Sequence, residues 1–413
     1  MSWIKGSATS YIDLSNKLVA AATGQSLQTV DSIADGGTGY SVGDILTLVG
    51  GTGTVAAQVE VLTVAAGVVA TTRRVNDGVY TVPPSDPVAT TGGAGTCTLN
   101  CTFASNGWTA LADAVRTGSD RDVILQGSGG GTDEIFIGWR TFFEATAGYY
   151  NWELHGFTGY GASLPFVEQP GMSPGEFDGS SKAGAYLVLS NGTLPYWVSV
   201  TPYRIVGVVK VGSSTYVPFY MGFGNRFATA GEYPYPMLIA GCSSNYSDLI
   251  SAVMSGLSDP WKSTLTDGSA RGPSLVYGVD GTWVSVANQT ISHGTTGNTA
   301  VLPTGLTSAG TAANQEDRFM SATGAWTEIV SQSASAAVAA LYATDGAAHP
   351  LLPCIIIFYL PSAQVVMEID DVFWISSYGG VASEDRIIDG SVYRVFQNCA
   401  RLTYDSYLAI KEG

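Results

Sequence analysis

The chain has 413 residues, which is long for a single hydrophobic core and predicts two or three domains. Only 13% of the residues are charged, against roughly 25% in ordinary soluble domains, and the abundance of Gly, Thr, Val and Tyr is typical of an all-β protein with many turns. The formal net charge of -16, without any cluster of Lys or Arg, argues against binding to nucleic acid or to anionic membrane surfaces.

Two short helices are predicted near the N-terminus. Residues 8–23 place their apolar side chains on one stripe, with Ser10 as the N-cap and Gly24 at the end. Residues 109–118 are the second candidate, closed by Gly118. The first residues lack the apolar core of a signal peptide, so we expect synthesis and assembly in the cytoplasm.

A small β unit is predicted between these helices, at residues 27–104. It contains two related segments, residues 36–54 and 76–96, in which Tyr40 corresponds to Tyr80. Two copies with a period of about 40 residues predict two similar hairpin units packed face to face. Because the unit begins and ends beside the two helix candidates, we interpret it as an insertion into the N-terminal domain.

Residues 121–160 alternate strand-like runs with glycine turns. The Gly-rich loop at 127–133 lacks the Lys-Ser/Thr ending of a phosphate-binding loop, so we interpret it as a hairpin loop. Residues 161–182 are rich in Pro and Gly and predict a long crossing segment.

The stretch at 201–241 is predicted to organise the fold. Residues 205–211 and 216–223 predict two strands joined by a turn at 212–214. The Tyr-Pro-Tyr-Pro segment at 233–236 predicts a rigid extended piece, because proline cannot donate to a sheet ladder. Each aromatic ring can bury on the order of 150–250 Å², so we expect burial in the core or a subunit contact. The candidate interface residues are Tyr216, Phe219, Tyr220, Phe223, Tyr233, Pro234, Tyr235 and Pro236.

Residues 242–346 give only short β signals, with a short helix predicted at 333–343, and the fold of this region stays open. The block at 351–413 is rich in strands again, and Asp389-Gly390 predicts a hairpin turn. Its longest apolar run, near 351–360, is too short to span a bilayer.

Together these patterns predict a mostly β, multi-domain protein of β-sandwich or barrel-like type with a few short helices and an inserted small β domain. The predicted domains are an N-terminal α+β or β domain at 1–26 and 105–200, the inserted β domain at 27–104, and one or more central and C-terminal β domains at 201–413.

No cofactor is predicted, and no metal motif is present. The five cysteines are Cys97, Cys101, Cys242, Cys354 and Cys399, without a CxxC pair. The spacing of the first two permits a disulfide or half of a metal site, but we favour buried, reduced thiols.

The acidic residues of the C-terminal block offer two other kinds of chemistry. Glu368, Asp370 and Asp371 lie close together, as do Glu384 and Asp385. Paired carboxylates suit glycoside hydrolysis or Ca²⁺ binding, and the sequence leaves Ca²⁺ open. Strand alternation puts Glu368 and Asp370 on one face, which we interpret as solvated or as a subunit contact.

Neither the histidines nor the tryptophans form a signature. His155, His293 and His349 are scattered, and we interpret each as structural or exposed. Tryptophans can stack on sugars or fill β cores, and we favour cores. The six considered are Trp139, Trp152, Trp197, Trp283, Trp326 and Trp374.

Several segments resemble virion structural proteins of tailed bacteriophages. They are residues 124–142, 149–160, 203–211, 216–223, 232–241 and 370–398. Residues 36–48 also resemble a β module that recurs in phage tail and fibre proteins. The resemblance implies a non-enzymatic particle component and carries over no catalytic residue.

We therefore expect a structural component of a tailed-phage virion, in the tail, baseplate or collar. Its expected partners are copies of itself and other virion proteins, with no nucleic acid and no membrane insertion. The alternatives are a host-recognition protein that binds a surface receptor or glycan, and a glycan depolymerase.

Overall fold

The fold is seen in a computed structural model of the chain. The structure describes residues 1–93, 96–175, 184–243, 247, 274–285, 299–302, 318–320, 326–328, 351–358, 364–375, 384–397 and 407–413. Within these residues the protein is mostly β, as predicted, with several antiparallel sheets, one α-helix and no closed barrel.

The α-helix, α1, spans Tyr11–Thr23, and a single 3-10 turn spans Phe166–Glu168. The strands are β1 Ser2–Ala8, β2 Gln25–Asp35, β3 Ile45–Leu48, β4 Thr52–Val55, β5 Gln58–Ala65, β6 Val68–Asn76, β7 Val79–Val82, β8 Val88–Thr91, β9 Thr98–Ser105, β10 Trp108–Thr117, β11 Asp120–Gly127, β12 Ile135–Glu144, β13 Tyr149–Phe157, β14 Ala185–Leu189 and β15 Leu194–Val200. They continue with β16 Arg204–Lys210, β17 Tyr216–Phe223, β18 Asn225–Arg226, β19 Met237–Ala240, β20 Ser274–Tyr277, β21 Trp283–Ser285, β22 Thr299–Leu302, β23 Arg318–Met320, β24 Trp326–Glu328, β25 Leu352–Phe358, β26 Gln364–Ile375, β27 Glu384–Ile388, β28 Ser391–Gln397 and β29 Tyr407–Lys411.

The central sheet contains the stretch that the sequence places at the middle of the fold. Its order is β1-β15-β16-β17-β19-β20-β21, and each neighbouring pair with a described register is antiparallel. β16 and β17 form the predicted hairpin, with Ile205 opposite Met221 and Lys210 opposite Tyr216. The segment at 233–236 lies outside the strands, as predicted.

Two flanking sheets cover the central sheet. The first flanking sheet has the order β10-β11-β12-β13-β14. The second has the order β22-β25-β26-β29-β28-β27, with β18 paired to β26. The predicted hairpin loop between β11 and β12 and the predicted turn at Asp389-Gly390 are both confirmed, since the strands on either side pair.

The central sheet is buried on both faces. One face packs with α1 and the first flanking sheet in a core that includes Leu14, Trp152 and Phe219. The opposite face packs against the second flanking sheet, where Tyr220 belongs to the same core as Ile369. Because successive side chains of a strand point to opposite faces, burial on both faces requires the continuous apolar run found in β17.

Helix α1 forms as predicted, whereas the second predicted helix is wrong. Ser10 Oγ accepts a hydrogen bond from the Asp13 N–H at 3.1 Å and so caps α1. Residues 109–118 instead lie mainly in β10, which pairs with β11 from Trp108 to Thr117. Their alanines have a high helix propensity, but this local preference is small in energy, and the backbone hydrogen bonds to β11 outweigh it.

The repeat unit, residues 25–105, is one eight-stranded sheet. Its order is β4-β7-β2-β9-β8-β3-β5-β6. The first copy contributes β2, β3 and β5, and the second copy contributes the equivalent strands β6, β8 and β9 in the reverse order across the sheet. The first strand of each copy pairs with the last strand of the other, and β3 pairs with β8 between them. The predicted face-to-face packing is therefore wrong, because the copies exchange strands within one sheet.

The repeated tyrosines hold the two copies together. The Cys97 N–H donates to Tyr40 Oη at 2.9 Å, and the Ala57 N–H donates to Tyr80 Oη at 2.7 Å. Each buried hydroxyl thus accepts a hydrogen bond from the backbone of the other copy, which satisfies both groups away from water.

The repeat unit covers the outer edge of β1, the first strand of the central sheet. The Trp3 N–H donates to Asp77 Oδ2 at 2.6 Å, and the Asp77 N–H donates to the Trp3 carbonyl at 2.7 Å. Asn76 Nδ2 donates to the Lys5 carbonyl at 2.9 Å. An Arg74–Asp77 ion pair of 3.1 Å lies beside these contacts. The edge of the sheet is therefore closed by side chains and backbone of the repeat unit.

The predicted domain boundaries stay a prediction. The boundary at 200/201 falls between β15 and β16, which are neighbours in the central sheet. The predicted helix at 333–343 lies outside the described residues.

Candidate functional site

Most of the candidate interface residues are buried inside the chain. Phe219 and Phe223 belong to the core shared with α1, and Tyr216, Tyr220 and Tyr233 belong to the core on the opposite face. Because these side chains already pack within their own subunit, they leave little surface for another. Their role in a subunit contact stays a prediction.

The hydroxyls of the buried tyrosines are satisfied internally. Tyr220 Oη donates to the Phe223 carbonyl at 2.7 Å, and Tyr233 Oη donates to the Tyr277 carbonyl at 2.5 Å. Burial raises the pKa of both phenols above the ordinary value, so they stay protonated donors at neutral pH.

The Tyr-Pro-Tyr-Pro segment reaches the surface at one end of the central sheet. Pro234 is exposed, Tyr235 is half-buried and Pro236 is buried. Tyr235 contacts Tyr277 edge to face at 5.9 Å, and Tyr277 contacts Trp283 at 5.2 Å. We call Pro234, Tyr235, Tyr277 and Trp283 the aromatic edge. Trp283 is held in place because its Nε1 donates to the Gly171 carbonyl at 2.8 Å.

The acidic residues of β26 neutralise a buried arginine. The Arg204 side chain is fully buried, and its Nε lies 3.1 Å from Asp370 Oδ2 while Nη2 contacts Asp371. Asn225 Nδ2 donates to the second oxygen of Asp370 at 2.9 Å. The Arg204 guanidinium thus lies between the two carboxylates, in the place that a metal ion would occupy. Burial raises the pKa of Glu368 and Asp371.

The other acidic pair also has cationic partners. Asp385 contacts Arg394 at 2.6 Å and Arg73 at 3.5 Å, and Glu384 contacts Arg386 at 3.4 Å. Among the described residues, no group of three or more His, Cys, Asp or Glu side chains is placed to hold a metal ion.

His155 lies in a buried polar network on the first flanking sheet. Its Nδ1 is 3.2 Å from Ser173 Oγ, and its Nε2 is 3.4 Å from Glu153 Oε2. Tyr186 Oη donates to the other oxygen of Glu153 at 2.8 Å. The order of serine, histidine and carboxylate resembles a hydrolase triad, but all three side chains are buried. Gly175 also packs against the network, since a Cβ there would lie 2.0 Å from Glu153 Oε1. We interpret the network as structural, as expected for His155.

The tryptophans and cysteines that the structure describes belong mainly to cores. Trp139 and Trp152 stack at 5.6 Å inside the core beside α1. Cys97 and Cys101 are free and buried, and no disulfide links them. Burial raises the pKa of Cys101 to about 12. Cys242 is also free and buried.

The remaining candidate residues lie wholly or partly outside the part of the chain that the structure describes. His293, His349 and Cys399 lie outside the described residues. Cys354, Trp326 and Trp374 lie on β25, β24 and β26, and their side chains are outside the described part.

A cleft between β1 and the repeat unit is the feature that sequence reasoning missed. It has a volume of about 440 Å³, and we call it the joint cleft. Its lining residues are Lys5, Gly6, Val55, Ala56, Gln58, Asn76, Tyr196 and Trp197. They come from four separate stretches of the chain, so no local sequence pattern marks the site.

Comparison of the chain with models of protein families and with curated proteins gives no match. Within the described part of the chain, no helix has the length and apolar character needed to cross a membrane.

Proposed function

We propose that the chain is a structural subunit of a tailed-phage particle and assembles with copies of itself through the aromatic edge. The particle role rests on the resemblance of six segments to virion structural proteins. The low charge of the chain supports it, because subunits that cover one another leave neutral surface between them.

The observation that carries the assembly is the aromatic edge. Three linked rings and an exposed proline lie together at one end of the central sheet. Interface cores are enriched in aromatic side chains and depleted of charge. The rings are also fixed by Gly171 and by each other, so ordering them on assembly costs little entropy.

We predict that Pro234→Asp weakens self-association by about tenfold or more while it leaves the fold intact. A charge at the centre of an apolar contact has to lose its water without gaining a partner. Pro234 is exposed in the single chain, so the variant should melt close to the parent. Light scattering with size exclusion, over a range of concentrations, measures the oligomer.

Val42→Asp is the matched control, because Val42 is an exposed apolar residue of the repeat unit. An oligomer that dissociates equally in both variants would contradict a contact at the aromatic edge. For the particle role itself, mass spectrometry of purified virions should find the chain at a fixed multiple copy number. Its absence from virions would end the proposal.

A further inference from the structure

We propose that Asn191 is a modification site, where the folded chain loses a side-chain amide by spontaneous deamidation. The tripeptide Ser-Asn-Gly occurs twice, at residues 105–107 and 190–192. The two copies have the same local chemistry but lie in opposite surroundings, so a difference in their reactivity comes from the fold. The site goes beyond the proposed assembly role and does not depend on it.

Deamidation of an Asn-Gly pair is a reaction within the chain. The backbone nitrogen of the glycine attacks Cγ of the asparagine and closes a succinimide ring. The Cγ–Nδ2 bond breaks, and ammonia leaves with the proton that the glycine nitrogen gives up. A water molecule then adds to one of the two imide carbonyls and opens the ring to aspartate or isoaspartate. Glycine favours ring closure because it has no side chain beside the attacking nitrogen and its backbone is the least restricted.

The connection from β14 to β15, residues 190–193, leaves Asn191 free to react. Asn191 is exposed, and among the described residues neither its side chain nor the Gly192 N–H has a hydrogen-bond partner. A Cβ at position 192 would meet nothing nearer than Ser190 Oγ at 3.9 Å, so the connection is uncrowded. No contact of the fold therefore holds the asparagine away from the geometry that the attack requires.

The other copy is held by buried hydrogen bonds. Asn106 is 3% exposed, and its Nδ2 donates to the Ala21 carbonyl at 2.7 Å and to Ser26 Oγ at 2.8 Å. Its Oδ1 accepts a hydrogen bond from Ser2 Oγ at 2.7 Å. The Gly107 N–H donates to the hydroxyl of the serine before Asn106 at 3.2 Å. Ring closure there would leave several buried polar groups without partners, which is costly, so this amide is protected.

The reaction at Asn191 changes the molecule in two ways. It adds one negative charge to a chain whose formal net charge is already -16. The isoaspartate product also routes the backbone through the former side chain, which lengthens the connection between the first flanking sheet and the central sheet. Leu189 and Leu194, at the two ends of this connection, are buried in the core, so the change is confined to residues 190–193.

The test follows the purified full chain in a warm, mildly alkaline buffer over several days. Peptide mapping by mass spectrometry measures the mass gain of deamidation at each asparagine, and electron-transfer fragmentation separates isoaspartate from aspartate. We expect Asn191 to lose its amide at least about tenfold faster than Asn106, which reacts only when the fold opens locally. In urea the two sites should react at similar rates, because both then have the same neighbours without the fold.

Gly192→Ala is the matched variant. The backbone at Gly192 does not have a positive φ, and the space around it admits a Cβ, so the variant should melt close to the parent. The added methyl group lies beside the attacking nitrogen and should slow the loss of the Asn191 amide by about tenfold or more. Three outcomes overturn the proposal: Asn191 keeps its amide in the folded chain, Asn106 reacts there as fast as Asn191, or Gly192→Ala deamidates as fast as the parent.

Discussion

Arg204 joins the central sheet to the second flanking sheet through the ion pairs of its buried guanidinium. Its Nη1 donates to the Ser199 carbonyl at 3.0 Å and contacts Ser199 Oγ at 2.9 Å, while Asp370 and Asp371 neutralise it. All parts of the guanidinium fork are therefore engaged. Such a group is costly to bury, but it is costlier still to remove one partner and leave the other charged.

We predict that Arg204→Met lowers the free energy of unfolding by about 3–5 kcal/mol, because two carboxylates lose their cation. Urea unfolding measures the loss. Arg204→Lys keeps the charge but loses the planar fork, so its loss should be smaller. A Met variant as stable as the parent would show that Asp370 and Asp371 reach water when the arginine is absent.

We expect the buried carboxyl of Asp77 to make the free energy of unfolding depend on pH. Burial raises its pKa from 3.8 to about 7, although the nearby Arg74 pulls it down. The folded chain thus binds a proton more tightly than the unfolded chain, so the stability contributed by protonated Asp77 is lost as pH rises from about 4 to about 7. Asp77→Asn should make the free energy of unfolding fall less steeply across this window.

Asp120 and Glu412 also have a pKa raised by burial, so part of the slope should remain in the Asn variant. The urea midpoints of the parent and the Asn variant at several pH values measure this slope. An unchanged slope in Asp77→Asn would show that Asp77 stays ionised in the folded chain.

At the scale of single elements, the sequence predicted correctly the helix and the hairpin whose formation depends on residues close together in the chain. The β-branched run and glycine turn at 205–214 predicted the β16–β17 hairpin, and Ser10 and Gly24 marked the ends of α1. The strand β10 was missed because its hydrogen bonds come from β11, a tertiary partner that its own composition does not reveal. The exchange of strands in the repeat unit was missed for the same reason: a repeat shows likeness between copies but not which copy each strand pairs with.

Helix α1 allows a test of one local signal. We predict that Ser10→Ala lowers the free energy of unfolding by about 1 kcal/mol, because the Asp13 N–H loses its acceptor. Thermal or urea unfolding checks this. Thr23→Ala, at the opposite end of the helix, is the control and should cost less, since Thr23 is exposed and bonds only to the Val19 carbonyl. Equal losses would mean that Ser10 adds no specific cap.

At the scale of the whole molecule, the repeat unit protects the central sheet. Trp3 and Lys5 direct their polar backbone groups away from β15 toward Asp77 and Asn76, and Ser7 occupies the next such position. Without the unit, this row of groups would be an open edge. The joint cleft lies beside it, and neither was predictable, because each requires residues about 70 to 190 positions apart to meet.

We predict that deleting residues 27–104 and joining the chain across the gap produces a folded but self-associating protein, because open strand edges pair with one another. Gln25 lies opposite Ser105, so a short linker spans the gap. Adding Ser7→Pro to the deletion removes an outward N–H and should restore a smaller species. Light scattering compares the two. A deletion variant that does not associate beyond the full chain would show that the edge needs no cover.

The exchange of strands also determines the order in which the strands can pair while the chain is being synthesised. β6 meets β5 across the Ala66-Gly67 turn as soon as both have been made, but β2 has to wait for β9. At about 5–20 residues per second, the roughly 80 residues between the ends of this pair take about 4–16 seconds to emerge. Throughout that interval β2 lacks β9, the strand with which it forms most of its pairs. Its charged residues Asp31 and Asp35 disfavour pairing with another such strand during this interval.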